Sequence, residues 1–254
     1  MIHAIGSQVN TWPRSITEPA EVRLPTLAGG QAESWRALIE IAPMLGQHWL
    51  LIGGQMVLLH EIERQATDVR PTNDIDLVID VRVQPAALKR AHSVLTKAGF
   101  TQDLPNPAGV AHRYRRAGAT IDVLAPDHVG QRAKLSLGGG RTIEAPGTTQ
   151  ALSRVAIVRV HLDDASALIR RPTLVGALIG KATAAMEIAS LSSAERAKHV
   201  RDVDSLARLL GTSDRANAEL TANERALLIR AAKDPDISLL AARSIALMTG
   251  TVIE

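Results

Sequence analysis

The hydrophobic pattern of this chain changes once, between about residues 165 and 172, and this change constrains the fold more than any other feature. Before it, short stretches in which apolar and polar residues alternate, as in β-strands, are separated by helical stretches. The clearest of these strand-like stretches is DIDLVID at 74–80. After it the pattern is helical, beginning with an Ala-rich segment at 172–190. Mixed elements followed by helices alone predict an α+β protein.

This pattern divides the chain into three expected regions. Residues 1–30 contain prolines and a Gly-Gly pair without sustained periodicity, so we predict an extended N-terminal arm. Residues 31–168 should form a domain with a mixed β-sheet flanked by helices, and residues 169–254 an α-helical domain. A length of 254 residues suits two modest domains.

Composition excludes several classes of function. The chain has no cysteine, so a disulfide framework, a thiolate zinc site and a cysteine nucleophile are excluded. Three tryptophans, one tyrosine and one phenylalanine are too few to stack a series of unpaired bases, and a net charge of +3 is too small for a sequence-blind DNA coat. The chain has no leader-like N-terminus and no long apolar run, so we expect a cytoplasmic protein that does not bind membranes.

Asp74 and Asp76 are the most informative pair of acidic residues. In a strand they alternate with Ile75 and Leu77, so both carboxylates lie on one face, about 7 Å apart along the chain. Mg²⁺ prefers oxygen ligands and is usually held by one or two carboxylates together with substrate phosphates. The alternative interpretation of the pair is a solvated strand edge.

Gly53 and Gly54 favour the metal-site interpretation. They lie between a short apolar strand and a predicted helix, where unpaired N–H groups and the helix dipole favour anions. Glycine also lets a phosphate approach the backbone closely. The Gly-Gly turn and the acidic pair together therefore predict a triphosphate site beside a metal site.

A third carboxylate, Asp122, lies in the predicted strand ATIDVL. If the residues 117–118 form a two-residue turn, Arg113 pairs with Asp122 across a hairpin, and Arg115 shares the same face. These arginines could hold phosphates or a nucleic-acid backbone. A structural salt bridge is an equal alternative for either one.

The helical region contributes two further candidates. Lys181 lies on the apolar side of its predicted helix, so it either extends to solvent or faces an anion in the cleft between the two domains; we favour the cleft. In the next helix, Lys198 and His199 come one turn before Asp202. Ordinary pairing along the helix and a role in the site both remain open for these residues.

Together these motifs resemble the signature of the polymerase-β-like nucleotidyltransferase superfamily. The run LLIGGQMVLLH, then RPTNDIDLVID, provides a Gly-Gly turn followed by Asp-hydrophobic-Asp, and a single Asp follows later. More narrowly, Arg70-x-Thr72-x-Asp74-x-Asp76 with a later helical lysine and aspartate is similar to the AbiEii/AbiGii-type nucleotidyltransferase toxins of bacterial toxin–antitoxin systems. The resemblance covers about residues 48–210.

The resemblance implies a nucleotidyltransferase fold for the mixed domain and a role for each matching residue. It implies Mg²⁺ or Mn²⁺ ligands at Asp74, Asp76 and Asp122. It implies nucleotide contacts by Gly53, Gly54, Gln55, Arg70, Thr72 and Lys181. It implies a catalytic set of the three metal ligands with Lys181 and Asp202. The sequence departs from the pattern at Gln55, where a small hydroxyl residue is common, and in the nineteen residues between Gly54 and Asp74.

The implied activity is transfer of a nucleoside monophosphate from an NTP to an acceptor hydroxyl, with release of pyrophosphate. The implied acceptor is RNA, in particular a tRNA end, and the implied partner is a cognate antitoxin protein. Two alternatives stay open. One is a nucleotidyltransferase for small molecules, of the aminoglycoside- or lincosamide-modifying kind, and the other is a catalytically silent module that binds nucleotide or antitoxin.

Overall fold

The structure is a computed structural model that describes residues 19–66, 72–130, 135–189 and 191–252. Within these ranges the chain forms nine helices and three β-sheets, which confirms the expected α+β class. None of the described helices combines the length and the apolar character needed to cross a membrane.

The elements of the first half, in chain order, are β1 (Ala20–Arg23), α1 (Gly29–Leu45), β2 (Trp49–Ile52), α2 (Gly53–Glu63), β3 (Asp74–Ile79), α3 (Ala87–Lys97), β4 (Thr101–Gln102), β5 (Arg113–Arg116) and β6 (Ala119–Pro126). The elements that follow are β7 (Ser136–Leu137), β8 (Gly140–Arg141), β9 (Glu144–Ala145), α4 (Thr148–Ser153), β10 (Val155–Leu162), β11 (Ala165–Pro172), α5 (Leu174–Glu187), α6 (Ser193–Arg208), α7 (Thr212–Ala216), α8 (Ala222–Ala232) and α9 (Leu239–Thr249).

The largest sheet places the acidic strands side by side. Its strand order is β2-β3-β6-β5-β4, with β9 added on β6. Strand β3 runs parallel to β6 with Asp76 opposite Asp122, and β2 runs antiparallel to β3 with Ile52 opposite Asp76. Ile75 and Leu77 are fully buried on the other face, because neighbouring residues of a strand alternate between the two faces. The apolar residues thus fix which face the carboxylates occupy.

The hairpin β5–β6 has the register that the sequence predicts. Arg113 lies opposite Asp122, and Arg116 lies opposite Ala119. Ala117 takes a positive φ of 49° in the two-residue turn, a conformation that two-residue hairpin turns require.

A second sheet pairs β1, near the start of the described residues, with the later strands β10 and β11. It has the order β1-β10-β11, with β1 parallel to β10 and β10 antiparallel to β11. Residues 20–23 of the expected arm therefore belong to this sheet, and residues 1–18 lie outside the described ranges. Strand β11 extends to Pro172, so the expected division between 168 and 169 falls within a strand, and the helical part begins at Leu174. The division into domains stays a prediction.

One hydrophobic core continues through both halves. It runs from Trp35 in α1, through Leu77 in β3, to Leu178 in α5 and Leu228 in α8. Helix α6 packs against α2 as well as against α5. Helices α5 and α6 are thus held against α2, the helix that begins at Gly53.

Candidate metal centre and adjoining cavity

Asp74, Asp76 and Asp122 form a cluster of carboxylates on neighbouring strands. Each offers an oxygen within 4.8 Å of the others, and no other group of at least three acidic or histidine side chains in the described residues is placed to hold a metal ion. Carboxylate oxygens are the ligands that Mg²⁺ and Mn²⁺ favour. Oxygens around one Mg²⁺ ion lie up to about 4.2 Å apart, so the spacing of the three carboxylates is close to that of ligands of a single ion.

The charge of this cluster also fits a cation. Burial, together with the carboxylates of Asp74 and Asp122, raises the pKa of Asp76 to about 7. Lys181 and Arg113 oppose this rise without cancelling it. Near neutral pH the cluster is therefore short of positive charge, which a divalent ion would supply.

Gly53 leaves the space that the Asp76 carboxylate fills. It begins α2 with a positive φ of 71°, and a Cβ atom built on it would lie only 2.7 Å from Cγ of Asp76. A larger residue is therefore excluded both by backbone conformation and by volume. Ile52, which precedes the helix, offers no side-chain acceptor to the first N–H groups. The glycine turn thus places an uncapped helix N-terminus, which includes half-buried Gly54, next to the acidic cluster.

Gln55 and Thr72 position the candidate metal ligand Asp74. The Gln55 side chain is fully buried; its oxygen accepts a hydrogen bond from Trp35 Nε1 at 2.6 Å, and its nitrogen donates to the carbonyl of Thr72 at 2.6 Å. The Thr72 hydroxyl donates to Asp74 Oδ1 at 2.9 Å. These bonds engage both ends of the Gln55 side-chain amide, and the nucleotide contact that the resemblance implies for Gln55 stays a prediction. Arg70 lies outside the described residues.

Lys181 and Asp202 meet in a buried ion pair at the cleft side of α5 and α6. Their Nζ and Oδ2 atoms are 2.6 Å apart, and the side chains are 9% and 4% exposed. Lys181 does not extend to solvent, because it lines the same cavity as Asp76 and lowers the pKa of that residue. His199 also lines this cavity, whereas Lys198 is exposed.

The two hairpin arginines have different partners. Arg113 binds both oxygens of Asp122, with Nε 2.8 Å from Oδ1 and Nη2 2.6 Å from Oδ2. Its Nη2 also lies 3.7 Å from Asp74. Arg115 pairs with Asp103, at 3.1 Å, so it belongs to an exposed ion pair outside the cluster.

A cavity of about 540 Å³ adjoins the cluster, and Asp76 and Lys181 lie on its wall. Small residues of α5 and the loop before α4 form much of the remaining lining: Gly176, Ala177, Gly180, Ala184, Pro146 and Gly147. Gly147 packs closely on Gly180, because a Cβ atom built on Gly147 would lie only 2.9 Å from the backbone of Gly180. Asp127 holds this loop by accepting hydrogen bonds from the N–H groups of Gly147 and Thr149.

A comparison with known proteins finds neither a family model nor a curated protein that matches this chain. The function must therefore be inferred from the geometry of the site itself.

The sequence predicted a cleft at Lys181, but neither the lining of small residues in this cavity nor the role of Asp127. A signal for the cavity was present, since Gly176, Gly180 and Ala184 recur every four residues on one face of α5. The role of Asp127 had no comparable signal, because its partners at 147–149 come from a loop twenty residues later.

Proposed function

We propose that this protein is a metal-dependent nucleotidyltransferase that moves a nucleoside monophosphate from an NTP to an acceptor hydroxyl and releases pyrophosphate. One observation carries the proposal: three carboxylates on adjacent strands lie directly beside an uncapped helix N-terminus that begins with Gly53. Carboxylates can hold the metal and the helix terminus can hold phosphate, and the chemistry needs both within one site. The proposal includes the nucleotidyltransferase fold for the sheet region.

The metal would be held by Asp74, Asp76 and Asp122. A divalent ion at this position would neutralise phosphate charge. Thr72 holds one of the candidate ligands, Asp74, in place. Such positioning and charge neutralisation supply most of the catalysis in phosphoryl transfer.

The nucleotide would extend from the glycine turn into the cavity. The N–H groups that follow Gly53 would bind the triphosphate, and Lys181, held by Asp202, would contact phosphate oxygens. The cavity volume lies within the range of small-molecule sites, and its mainly apolar lining suits a nucleoside.

The acceptor would approach from the open side of the cluster. The side chains of Asp74 and Arg113 are 41% and 35% exposed, so a hydroxyl on a large molecule can reach the metal ligands from solvent. This exposure favours RNA, such as a tRNA end, over a small enclosed acceptor. With so few aromatic residues, the protein would grip RNA through its backbone and shape. A toxin role with an antitoxin partner is part of the proposal and rests on the resemblance alone.

Labelled nucleotide transfer tests this function directly. Each of the four labelled NTPs is incubated with the protein, Mg²⁺ and total RNA, and the products are separated on a gel. We expect label in RNA with Mg²⁺ and none with EDTA. Label on an aminoglycoside or lincosamide but not on RNA would establish the small-molecule alternative, and no transfer to any acceptor with any NTP would refute the enzyme.

A further inference from the structure

Arg113 occupies the oxygens that a metal ion would need. Its guanidinium donates to both oxygens of Asp122, at 2.8 and 2.6 Å, and approaches Asp74 at 3.7 Å. Those two carboxylates are two of the three candidate ligands. A guanidinium and a divalent cation repel each other and cannot use the same carboxylate lone pairs at once.

The two partners of this ion pair differ in their freedom to move. Asp122 is 7% exposed and belongs to a central strand of the sheet, whereas Arg113 is 35% exposed and reaches the cluster from the neighbouring strand β5. A long, partly solvated side chain can leave more easily than a buried aspartate can turn. If an ion enters, the guanidinium is therefore the group that moves.

We propose that Arg113 is an exchangeable counter-cation that neutralises the acidic cluster in the absence of metal and competes with the divalent ion for Asp122. The residue thereby lowers the metal affinity of the free protein. After the ion binds, the displaced guanidinium remains near Asp74, where it can pair with an incoming anion such as a phosphate. The inference rests on the metal site of the proposed function, but it does not require nucleotide transfer.

A fixed clamp would give the opposite behaviour. If Arg113 only holds Asp122 in the orientation that a metal needs, its removal misplaces a ligand and weakens metal binding. If Arg113 competes with the metal, its removal strengthens binding. The sign of the change in metal affinity distinguishes the two roles.

The experiment measures Mn²⁺ affinity by calorimetry at pH 8 for the parent and three variants. We expect Arg113→Gln to bind Mn²⁺ about tenfold more tightly, equivalent to about 1.4 kcal/mol. Arg113→Lys, which loses the two-pronged contact but keeps the charge, should bind about threefold more tightly. Arg115→Gln removes an arginine from the same strand, outside the cluster, and should match the parent within about twofold.

Arg113→Gln leaves Asp122 buried without its main partner, so its folding is checked by thermal melting without metal. Arg113→Lys retains a cation there and keeps the inference testable if the glutamine variant does not fold. The inference is overturned if the folded variants at position 113 bind Mn²⁺ no more tightly than the parent, or if no form binds Mn²⁺. A parent that binds Mn²⁺ but transfers no nucleotide would refute only the proposed enzymatic function.

Discussion

The two ends of helix α2 handle buried charge in opposite ways. At its N-terminus, Gly53 lies against Asp76, which is one of three neighbouring carboxylates. Burial and the two other carboxylates raise the pKa of Asp76 to about 7. At its C-terminal end, His60 and Glu63 meet buried Arg171 of β11, and each charge has a partner. The His60 imidazole, whose pKa is held well below its usual range by burial and then by Arg171, donates from Nε2 to the Pro172 carbonyl.

This contrast separates a structural polar network from a candidate ligand site. A buried network whose charges are paired is explained by folding alone. A buried excess of like charge lowers the stability of the fold unless a ligand of opposite charge binds there.

Asp76→Asn should have the largest effect on function. Without this ligand, metal-dependent nucleotide transfer should fall by about a thousandfold, because charge stabilisation at the phosphates depends on the ion. Incorporation of labelled NTP measures the effect. Asp103→Asn, which removes an exposed aspartate bound to Arg115, is the matched control and should retain activity. Equal loss in both variants would argue against a specific role for the cluster.

Arg171→Met should instead reduce stability. The substitution leaves Glu63 and His60 without their common partner, so the free energy of unfolding should fall by about 3 kcal/mol. Denaturant unfolding measures the change, and nucleotide transfer by the folded fraction should be retained. Arg159→Met, on the outer face of the same sheet, should change stability by less than about 0.5 kcal/mol. Loss of activity at unchanged stability would contradict the structural role of Arg171.

The ionisable groups at the two ends of α2 should also change the stability of the protein in opposite directions as the pH rises. The folded pKa of Asp76, about 7, lies above its unfolded value of 3.8, so the metal-free protein loses stability as pH rises between these values. Asp76→Asn should therefore be more stable than the parent at pH 8, by on the order of 1–3 kcal/mol, and about equal to it at pH 4. Thermal melting in EDTA checks the prediction. An equal difference at both pH values would show that Asp76 is not protonated on folding.

His60 contributes a change in the other direction. Because its folded pKa is depressed, unfolding takes up a proton below about pH 6.5, and stability is lost as the pH falls below that value. The metal-free protein should thus be most stable at the pH values between these two losses, and Asp76→Asn should remove only the loss at higher pH.

The smallest effect is expected at Gln55, which is linked to the candidate metal site only through Thr72 and Asp74. Gln55→Met has a similar volume but breaks both amide hydrogen bonds, so Mn²⁺ affinity should fall by about tenfold. Calorimetry measures the affinity. Thr142→Val also removes a buried hydrogen bond, to the β6 carbonyl of Val123, and should leave Mn²⁺ binding unchanged. If the two variants behave alike, the effect of Gln55 is general destabilisation.

The parts that the sequence predicted depend on neighbouring residues. Alternation around Ile75 placed two carboxylates on one face, and the turn at Ala117 set the register that brings Arg113 to Asp122. Lys181 was assigned to the cleft because a charged residue lay on the apolar side of its helix. Each of these inferences needed only a local period or a turn geometry.

The parts that were missed depend on distant partners. Strand β11 reads ASALIRRP, without clear alternation, and is a strand because it pairs with β10. Gln55 faces Trp35, twenty residues earlier, so nothing next to it in sequence indicated a positioning role. Arg115 pairs with Asp103, which lies next to the two-residue strand β4 that was not predicted.

The Asp76 carboxylate fills the space that a side chain at position 53 would need, and this restricts the order in which the two positions can be substituted. A side chain at position 53 collides with the carboxylate and adopts an unfavourable positive φ, so it is tolerated only after position 76 has become smaller. Loss of the aspartate at position 76 must therefore precede loss of the glycine. Among related chains, a non-glycine residue at position 53 should mark a lineage that has already lost this aspartate.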